Sequence, residues 1–463
     1  MTDVLVIGGG PAGVVAALRA ADLGARTKLV TRDAFGGMAA NDGPVPVRTL
    51  AHAARLIREA RQLVRYGIRV GEISIDYPKL LARVREVVED VRAHSAFREQ
   101  IESSGATVLE HAGTTRFLDA NTIETESGER LRADKILICT GGTSRRLAVP
   151  GFELTATHSD AWTLEAVPPS MIVVGGGATG VQVASIFAAF GTRVQLFQSG
   201  PRILPAEDED VSTAVAAALR DSGITVREGF GTILSFERTA NGIRMNFEKA
   251  GQREGAEAAL AVVAVGWSAN TAELRLADVG IETNERGFVL VDAHLQTTAP
   301  HVFAAGDVTG RLMLVPQALH DGFVAATNAV HGPTIALENP PSPIGSFTDP
   351  EYAQVGLTEA KARAMHDVIA PVIRFDSTTR TIIDGHKLGF CKLIVDRGSR
   401  QLLGCHVVGE RAVEITQVAA LAMAADMKVE ALARVPLSFP TYAGILGRVA
   451  TRAARELNLD SAP

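Results

Sequence analysis

A doubly wound α/β architecture, present twice along one chain, is what this sequence predicts, and three observations predict it. Two glycine fingerprints of the same spacing, each between an apolar strand and an apolar helix, stand within residues 3–33 and 170–198. The chain has 463 residues, beyond the roughly 250–300 at which single cores stop growing, so two to four domains are expected. Hydrophobic residues make up 46% of it and aromatics only 5%, so a substantial core can be built mainly from aliphatic and alanine side chains.

The first unit reads as strand "DVLVI", turn "GGGPAG", helix "VVAALRAADLG" and strand "RTKLV". Its glycines, Gly8, Gly10 and Gly13, have the G-x-G-x-x-G spacing. The first permits the tight turn, the second lets the backbone approach a pyrophosphate, and the third lets helix and strand pack closely. Phosphate then sits on the helix N-terminus, where unpaired N–H groups and the macrodipole favour negative charge. The acid that usually ends the second strand and binds ribose hydroxyls is replaced by Thr31, so that contact is weaker or made differently.

The second unit, "SMIVVGGGATGVQVASIFAAFGTRVQLFQ", repeats the device at Gly175, Gly177 and Gly180. Two complete units imply two dinucleotides. The economical pairing is a flavin exchanging a hydride with a nicotinamide, because the organic chemistry then belongs to the cofactors. Gln198 takes the place of the strand-end acid, and Arg202, four positions on, is the nearest arginine that could grip a 2′-phosphate. The preference leans to NADH.

Between the units, "KILICTGGTSRRLAVPG" is a buried strand ending in Thr140, Gly141 and Gly142, which reads as a crossing between domains. A similar strand and turn follows the second unit at Val265 and Gly266. "LQTTAPHVFAAGDV" then places Asp307 at a sheet's carboxyl end, where ligands bind in such folds and a carboxylate can accept hydrogen bonds from sugar hydroxyls. Helix N-capping is the competing role for it.

Forty-six basic against 52 acidic residues, with no long block of one sign, argue against a nucleic-acid surface and for a small-molecule partner. The chain runs from Met1 straight into "DVLVIGGG" and has no apolar run of roughly 18 residues, so neither export nor membrane spanning is expected and the protein reads as cytoplasmic. Cys139, Cys391 and Cys405 form no metal-ligand spacing and read as buried structural thiols, with no metal site expected.

Taken together, both fingerprints with "CTGG", "AVGWSAN", "TTAPHVFAAGD", "FTDPEYAQVGLTEA" and "LLGCHVVGERAVEITQVAALAMAADMKVEAL" resemble the flavin-dependent pyridine nucleotide-disulfide oxidoreductases over nearly the whole chain. The resemblance implies two Rossmann-like dinucleotide-binding domains plus a C-terminal α+β dimerisation domain. The implied boundaries are 1–148 and 270–338 for the two parts of an FAD-binding domain, 149–269 for an NAD(P)H-binding domain, and 339–463 for dimerisation. It also implies FAD at the first unit with Asp307 on the ribityl chain, NAD(P)H at the second, and a homodimer.

Against that family's loop GG-T-C-x-N-x-G-C-x-P-S-K, this chain has "GGMAANDGPVPVR". Gly37, Asn41, Gly43 and Pro46 keep the frame, but Ala39 and Pro44 stand where the cysteines would be. A methyl group and a pyrrolidine ring form no thiolate, so disulfide reduction by that route is excluded. The family's proton-relaying His-Pro-T-x-x-E reads "FPTYAG" here, with Phe439 for the histidine and Gly444 for the glutamate. The family lysine becomes Arg48 and its glutamate partner Gln182. What remains, by resemblance, is a flavin face opening onto an apolar pocket rimmed by Met38, Ala39, Pro44 and, from the partner subunit, Phe439 and Tyr442.

This points to an FAD-dependent NAD(P)H oxidoreductase serving a quinone-, flavin- or dye-like acceptor. The alternatives are an NAD(P) transhydrogenase and a non-catalytic FAD-binding scaffold or redox sensor. Arg48 would stabilise an anionic reduced flavin, and Gln182 would face the nicotinamide as a neutral hydrogen-bonding group. Ala178, where some relatives hold a gating tyrosine, leaves the nicotinamide site unblocked. Trp267 replaces an arginine of the family's turn, for which the sequence offers no physical account.

Overall fold

The computed structural model describes residues 2–94, 96–338 and 340–459. By internal packing the chain divides into two units: residues 1–50, 78–145 and 266–338 form one, and 51–77, 146–265 and 339–463 the other.

The first unit is built on parallel strands in the spatial order Thr107–Leu109, Thr27–Val30, Thr2–Ile7, Arg130–Ile138 and Val302–Ala304. An antiparallel pair, Thr115–Asp119 and Thr122–Thr125, extends it beside Arg130–Ile138. Val4 and Val6 face one cluster with Leu29, Leu137 and Phe303, while Leu5 and Ile7 face another with Val30, Ile136 and Ile138. Both faces are therefore buried, which is why these strands read as unbroken apolar runs. Helices Pro11–Asp22 and Val315–His331 cover the first face, and Gly322 lets them touch: a Cβ there would lie 2.2 Å from the Ala12 carbonyl oxygen.

In the second unit a parallel sheet runs Thr225–Glu228, Arg193–Gln198, Ser170–Val174 and Leu260–Val263. An antiparallel meander, Thr232–Thr239, Gly242–Lys249 and Gln252–Ala258, adjoins it. The C-terminal part is an antiparallel sheet, with Tyr352–Gly356, Leu402–Val408 and Phe390–Asp396 at its centre, backed by helices Ala412–Ala424 and Gly444–Glu456. Here side chains alternate: Leu393, Cys405 and Val407 enter the core with Ile415 and Val449. Lys392, on the opposite face of its strand and 2% exposed, meets Asp208, Asp210 and Glu359 at 2.6, 2.7 and 2.8 Å.

Among the described residues no helix is long and apolar enough to cross a membrane, and no group of His, Cys, Asp or Glu has the makings of a metal site.

Candidate active site

Two cradles of nearly identical geometry occupy the carboxyl ends of the two parallel sheets. At the first, Gly8 adopts φ +113°, and a Cβ there would fall 2.2 Å from the Cys139 carbonyl oxygen. Gly13 could carry no side chain either, since its Cβ would lie 1.8 Å from the Gly8 oxygen. At the second, Gly175 has φ +107° with the Ala264 oxygen 2.2 Å from a Cβ, and Gly180 meets the Gly175 oxygen at 1.8 Å. Each turn is anchored to the neighbouring strand by one N–H, Gly8 to Val30 and Gly175 to Phe197, both 2.8 Å. Gly10 and Gly177, both in extended conformation, are the helix N-caps, so each helix directs unpaired N–H groups into its turn.

What lies above the turns differs. Over the first, Gly36 at φ +100° donates its N–H to Gly9 O at 2.9 Å, and Gly37 at φ +58° comes so close that a Cβ would lie 2.6 Å from Gly10 Cα. The loop that carries Ala39 and Pro44 is thereby clipped onto the cradle. It forms a short helix, Gly37–Asn41, carrying Met38 and Ala39, and Pro44 opens the long helix Pro44–Gln62. Glu110, paired with Arg98, accepts the Phe35 N–H and holds the loop's root. Sequence reading missed Gly36 and Glu110; only the doubled glycine hinted at the first, and nothing local marked the second. At Gly177 a Cβ would meet nothing within 4 Å, so the second cradle lies open.

Other expected site residues of the first unit gather around its cradle. Thr31 is buried with its side chain against Gly9. Gly141 takes φ +71°, and Thr140 beside it holds a buried hydroxyl with no partner among the described residues. A Cβ on Gly142 would sit 4.0 Å from that of Asp307, which places the crossing loop beside the carboxylate. Asp307 lies in a single helical turn, Gly306–Thr309, whose N-cap is Ala305. Burial, and then the charge of Asp321, push its pKa up to about 6. Asp321 is fixed by the Gln317 amide and the Gly306 N–H, so the carboxylate in need of hydrogen-bond donors is Asp307. Arg48 is exposed on its helix, where the later arginines Arg55 and Arg58 pair with Glu59 and Asp349. Gly266 is left-handed at φ +106°, with its carbonyl accepting Arg145 N–H at 3.0 Å. Trp267 packs against the cluster of Ile7 and Ile138.

In the second unit, Gln198 turns its Oε1 onto the Gly176 N–H at 2.9 Å, so the residue at the acid's position braces the turn. Arg202 donates to the carbonyls of Leu204, Pro205 and Glu207, which uses three of its five N–H donors and turns its guanidinium onto the backbone. Gln182 donates to Ala178 O and accepts from Phe347 N–H, both at 3.4 Å. Phe439 is 81% exposed, whereas the Tyr442 hydroxyl donates to Asp384 at 2.9 Å and its ring lies near Phe375. The two aromatics of "FPTYAG" therefore have different surroundings.

Cys139, Cys391 and Cys405 are all buried free thiols. Burial, followed by the charge of Asp321, pushes Cys139 up to about 12, and the Cys405 contact together with burial raises Cys391. Neither Cys139 nor Cys391 is a thiolate near neutrality. A small aromatic disulfide reagent is expected to titrate no thiol in the native protein and three after denaturation. A fast-reacting native thiol would contradict this.

The glycine turns leave no room for side chains and present N–H groups, and at one of them stand the Thr140 hydroxyl, buried with no hydrogen-bond partner among the described residues, and the Asp307 carboxylate, its pKa raised by burial. These are the fittings of dinucleotide sites. The family described as pyridine nucleotide-disulphide oxidoreductase matches residues 2–322, and its dimerisation domain matches residues 342–450. Dihydrolipoyl dehydrogenase 2 of Haloarcula marismortui is 32% identical, over 98% of this chain and 97% of that protein. Mercuric reductase of Lysinibacillus sphaericus is 29% identical, over 95% and 80% respectively. Among solved structures, the HOCl-induced flavoprotein disulfide reductase RclA from Escherichia coli has the same fold, with TM-score 0.85, 24% identity and coverage of 97% and 99%.

Proposed function

Because this chain belongs to the pyridine nucleotide-disulphide oxidoreductase family, whose members bind FAD and NAD(P)H, we propose that it is an FAD-dependent NAD(P)H oxidoreductase working without a dithiol and serving a quinone-, flavin- or dye-like acceptor. The observation that carries this reading is the pairing of two intact cradles with Ala39 and Pro44 in the reactive loop, while all three thiols are buried.

The covered cradle suits a resident cofactor and the open one an exchanging coenzyme. Gly8, Gly10, Gly13 and Gly37 with Met38, Gly141 and Thr31 would hold FAD, and Asp307 would accept hydrogen bonds from its sugar-alcohol chain. Gly175, Gly177 and Gly180 would seat the coenzyme pyrophosphate, with Gln198 keeping the turn in place. Because Arg202 is tied to backbone carbonyls, it is not free to bind a 2′-phosphate, and NADH is the proposed coenzyme. FAD held at the first cradle would supply the chemistry of taking up a hydride from a nicotinamide and passing electrons to an acceptor. Gln182 would offer a neutral amide on the coenzyme side, and Phe439 and Tyr442 aromatic surface for a flat acceptor. The matched dimerisation domain supports a homodimer, and unit two leaves Val64, Ile68 and Ile383 exposed as an association surface would.

The test is anaerobic addition of NADH to the purified protein, followed by a quinone or dye. Loss of the visible flavin absorbance at about 1 per second or faster, and its return with the acceptor, is the expected result. A flavin that stays oxidised favours the scaffold, and reduction of a disulfide substrate at a similar rate ends the non-disulfide reading. Arg48→Ala is expected to slow flavin reduction roughly 10- to 100-fold with FAD content unchanged, because a permanent positive charge is removed from beside the developing anion. Rapid-mixing traces matching the wild type would remove Arg48 from the reaction.

A further inference from the structure

The loop that covers the first cradle is fastened by a side chain from a distant helix. In the helix Tyr77–His94, Arg92 donates its Nε–H to Asn41 Oδ1 at 2.5 Å. Asn41 ends the short helix Gly37–Asn41, and its Nδ2–H donates to Phe35 O at 3.3 Å. That carbonyl shares a peptide plane with the Gly36 N–H, which donates to Gly9 O at 2.9 Å. The Gly9 carbonyl in turn shares its peptide plane with the N–H of Gly10, the N-cap of the cradle helix. In a trans peptide the C=O and N–H point in opposite directions, so the linked amides line up head to tail. Three hydrogen bonds, all donated in the same direction, therefore run from Arg92 to the cradle, with a permanent cation at their head.

The Asn41 amide has one workable orientation. A guanidinium can only donate and a carbonyl can only accept, so the amide oxygen faces Arg92 and the nitrogen faces Phe35. An aspartate would satisfy Arg92 but would set its second oxygen against the Phe35 carbonyl. Between this fastening and the cradle there is no slack. A Cβ on Gly36 would lie 2.9 Å from that of Ala40, and one on Gly37 would lie 2.6 Å from Gly10 Cα. A second arm holds the other side of Phe35, whose N–H donates to Glu110 at 3.0 Å while Arg98 pairs with Glu110 at 2.8 Å. That arm fixes the root of the loop, whereas the Arg92 arm reaches the peptide that touches the cradle.

We infer that Arg92 is a positioning residue for the resident flavin, setting how long FAD stays bound by holding Gly36 and Gly37 down on the cradle. The inference rests on the FAD reading of that cradle. Arg92 acts through Asn41: its charge polarises the amide, and each link of such a chain strengthens the next. With the first link cut, the loop keeps its root at Glu110 but lifts more often from Gly9 and Gly10, which opens the way out for the flavin. Met38 and Ala39 ride on the same short helix, so the latch also fixes the surface that the loop presents.

The experiment measures the rate at which FAD leaves the diluted holoprotein, as flavin recovered through an ultrafiltration membrane over time. Arg92→Met is expected to release FAD roughly tenfold faster than wild type, the scale of losing one hydrogen bond to a charged group. Arg92→Lys, which keeps a donor, should fall between them. Asn41→Asp separates the latch from stability alone. It retains the Arg92 contact as an ion pair, so a purely structural role predicts release no faster than wild type, whereas a broken chain predicts roughly the tenfold increase of Arg92→Met. Arg92→Met added to Asn41→Ala should have no further effect, because both cut one chain, while Arg92→Met with Arg98→Met should multiply, because the arms are separate. Wild-type release rates in Arg92→Met or in Asn41→Asp, or an Arg92→Met effect that persists undiminished in Asn41→Ala, would overturn the inference while the FAD reading stands. A wild-type protein isolated without flavin would end both.

Discussion

Gly180→Ala is expected to weaken NADH binding by roughly 100-fold or more while leaving the protein yellow. The added methyl would sit 1.8 Å from the Gly175 carbonyl oxygen, a backbone atom that no rotamer change can move aside. Either the helix Ala178–Ala189 lifts from its strand or the turn shifts, and both displace the N–H groups meant for the pyrophosphate. A hundredfold loss corresponds to about 2.7 kcal/mol, which the disruption of a preorganised phosphate site readily supplies. The first cradle lies in the other unit, so bound FAD reports that the change has not spread to that unit. Gly13→Ala makes the same intrusion on Gly8 and should give the reverse outcome, colourless protein. The measurements are flavin absorbance per mole of protein and the dissociation constant for NADH. Normal NADH affinity in Gly180→Ala would show that the second turn does not hold the coenzyme.

Lys392→Met is expected to destabilise the protein by about 3–5 kcal/mol at pH 7, the usual result of leaving a buried charge without its partner. Lys392 and Asp208 are 2% and 3% exposed, so Asp208 would be stranded, while Asp210 and Glu359 keep more contact with water. In the intact protein burial works to raise the pKa of Asp208, but the Lys392 and Glu359 N–H hydrogen bonds prevail and hold it below the usual carboxylate range. Glu359 is lowered likewise, against burial, by Lys392 and Arg363.

The sign of the pH dependence follows from those directions. A depressed carboxylate contributes stability above its unfolded pKa, near ~4, and that contribution disappears as pH falls through the lower folded value. Wild type should therefore weaken only in strong acid. In Lys392→Met burial acts on Asp208 against only the remaining Glu359 and Asp210 N–H bonds, its pKa rises relative to wild type, and the gap between the two narrows as pH falls toward ~4. Asp208→Asn added to Lys392→Met should recover part of the loss at pH 7. Denaturant unfolding across pH measures both effects, and a gap that is constant from pH 8 to 4 would show that the cluster contributes no net charge interaction.

Much of the architecture was legible because its signals are local. "DVLVIGGGPAG" and "SMIVVGGGATG" state in a dozen residues where a strand ends, where φ must be positive and where a helix begins, and the structure places Gly8 and Gly175 at φ +113° and +107°. The apolar settings of Cys139, Cys391 and Cys405 were equally plain, since each lies in or just after a strand core. Gln198 was legible as a missing acid but not as a brace, because its partner Gly176 is brought to it only by strand pairing. Tyr442 could be named as an aromatic near Phe439, yet its bond to Asp384 joins positions far apart in the chain.

By itself the sequence determined that two glycine cradles exist, that Ala39 and Pro44 stand in the loop after the first of them, and that the chain alternates strands and helices in two parallel-sheet units. Only the tertiary structure decided that Gly37 closes one cradle while the other stands open, that Arg202 is tied to carbonyls, and that Lys392 draws three carboxylates around it. The reason is physical: backbone conformation and apolar periodicity are set by neighbours along the chain, whereas which charge meets which, and which turn is covered, depend on the packing of segments that carry no mark of one another.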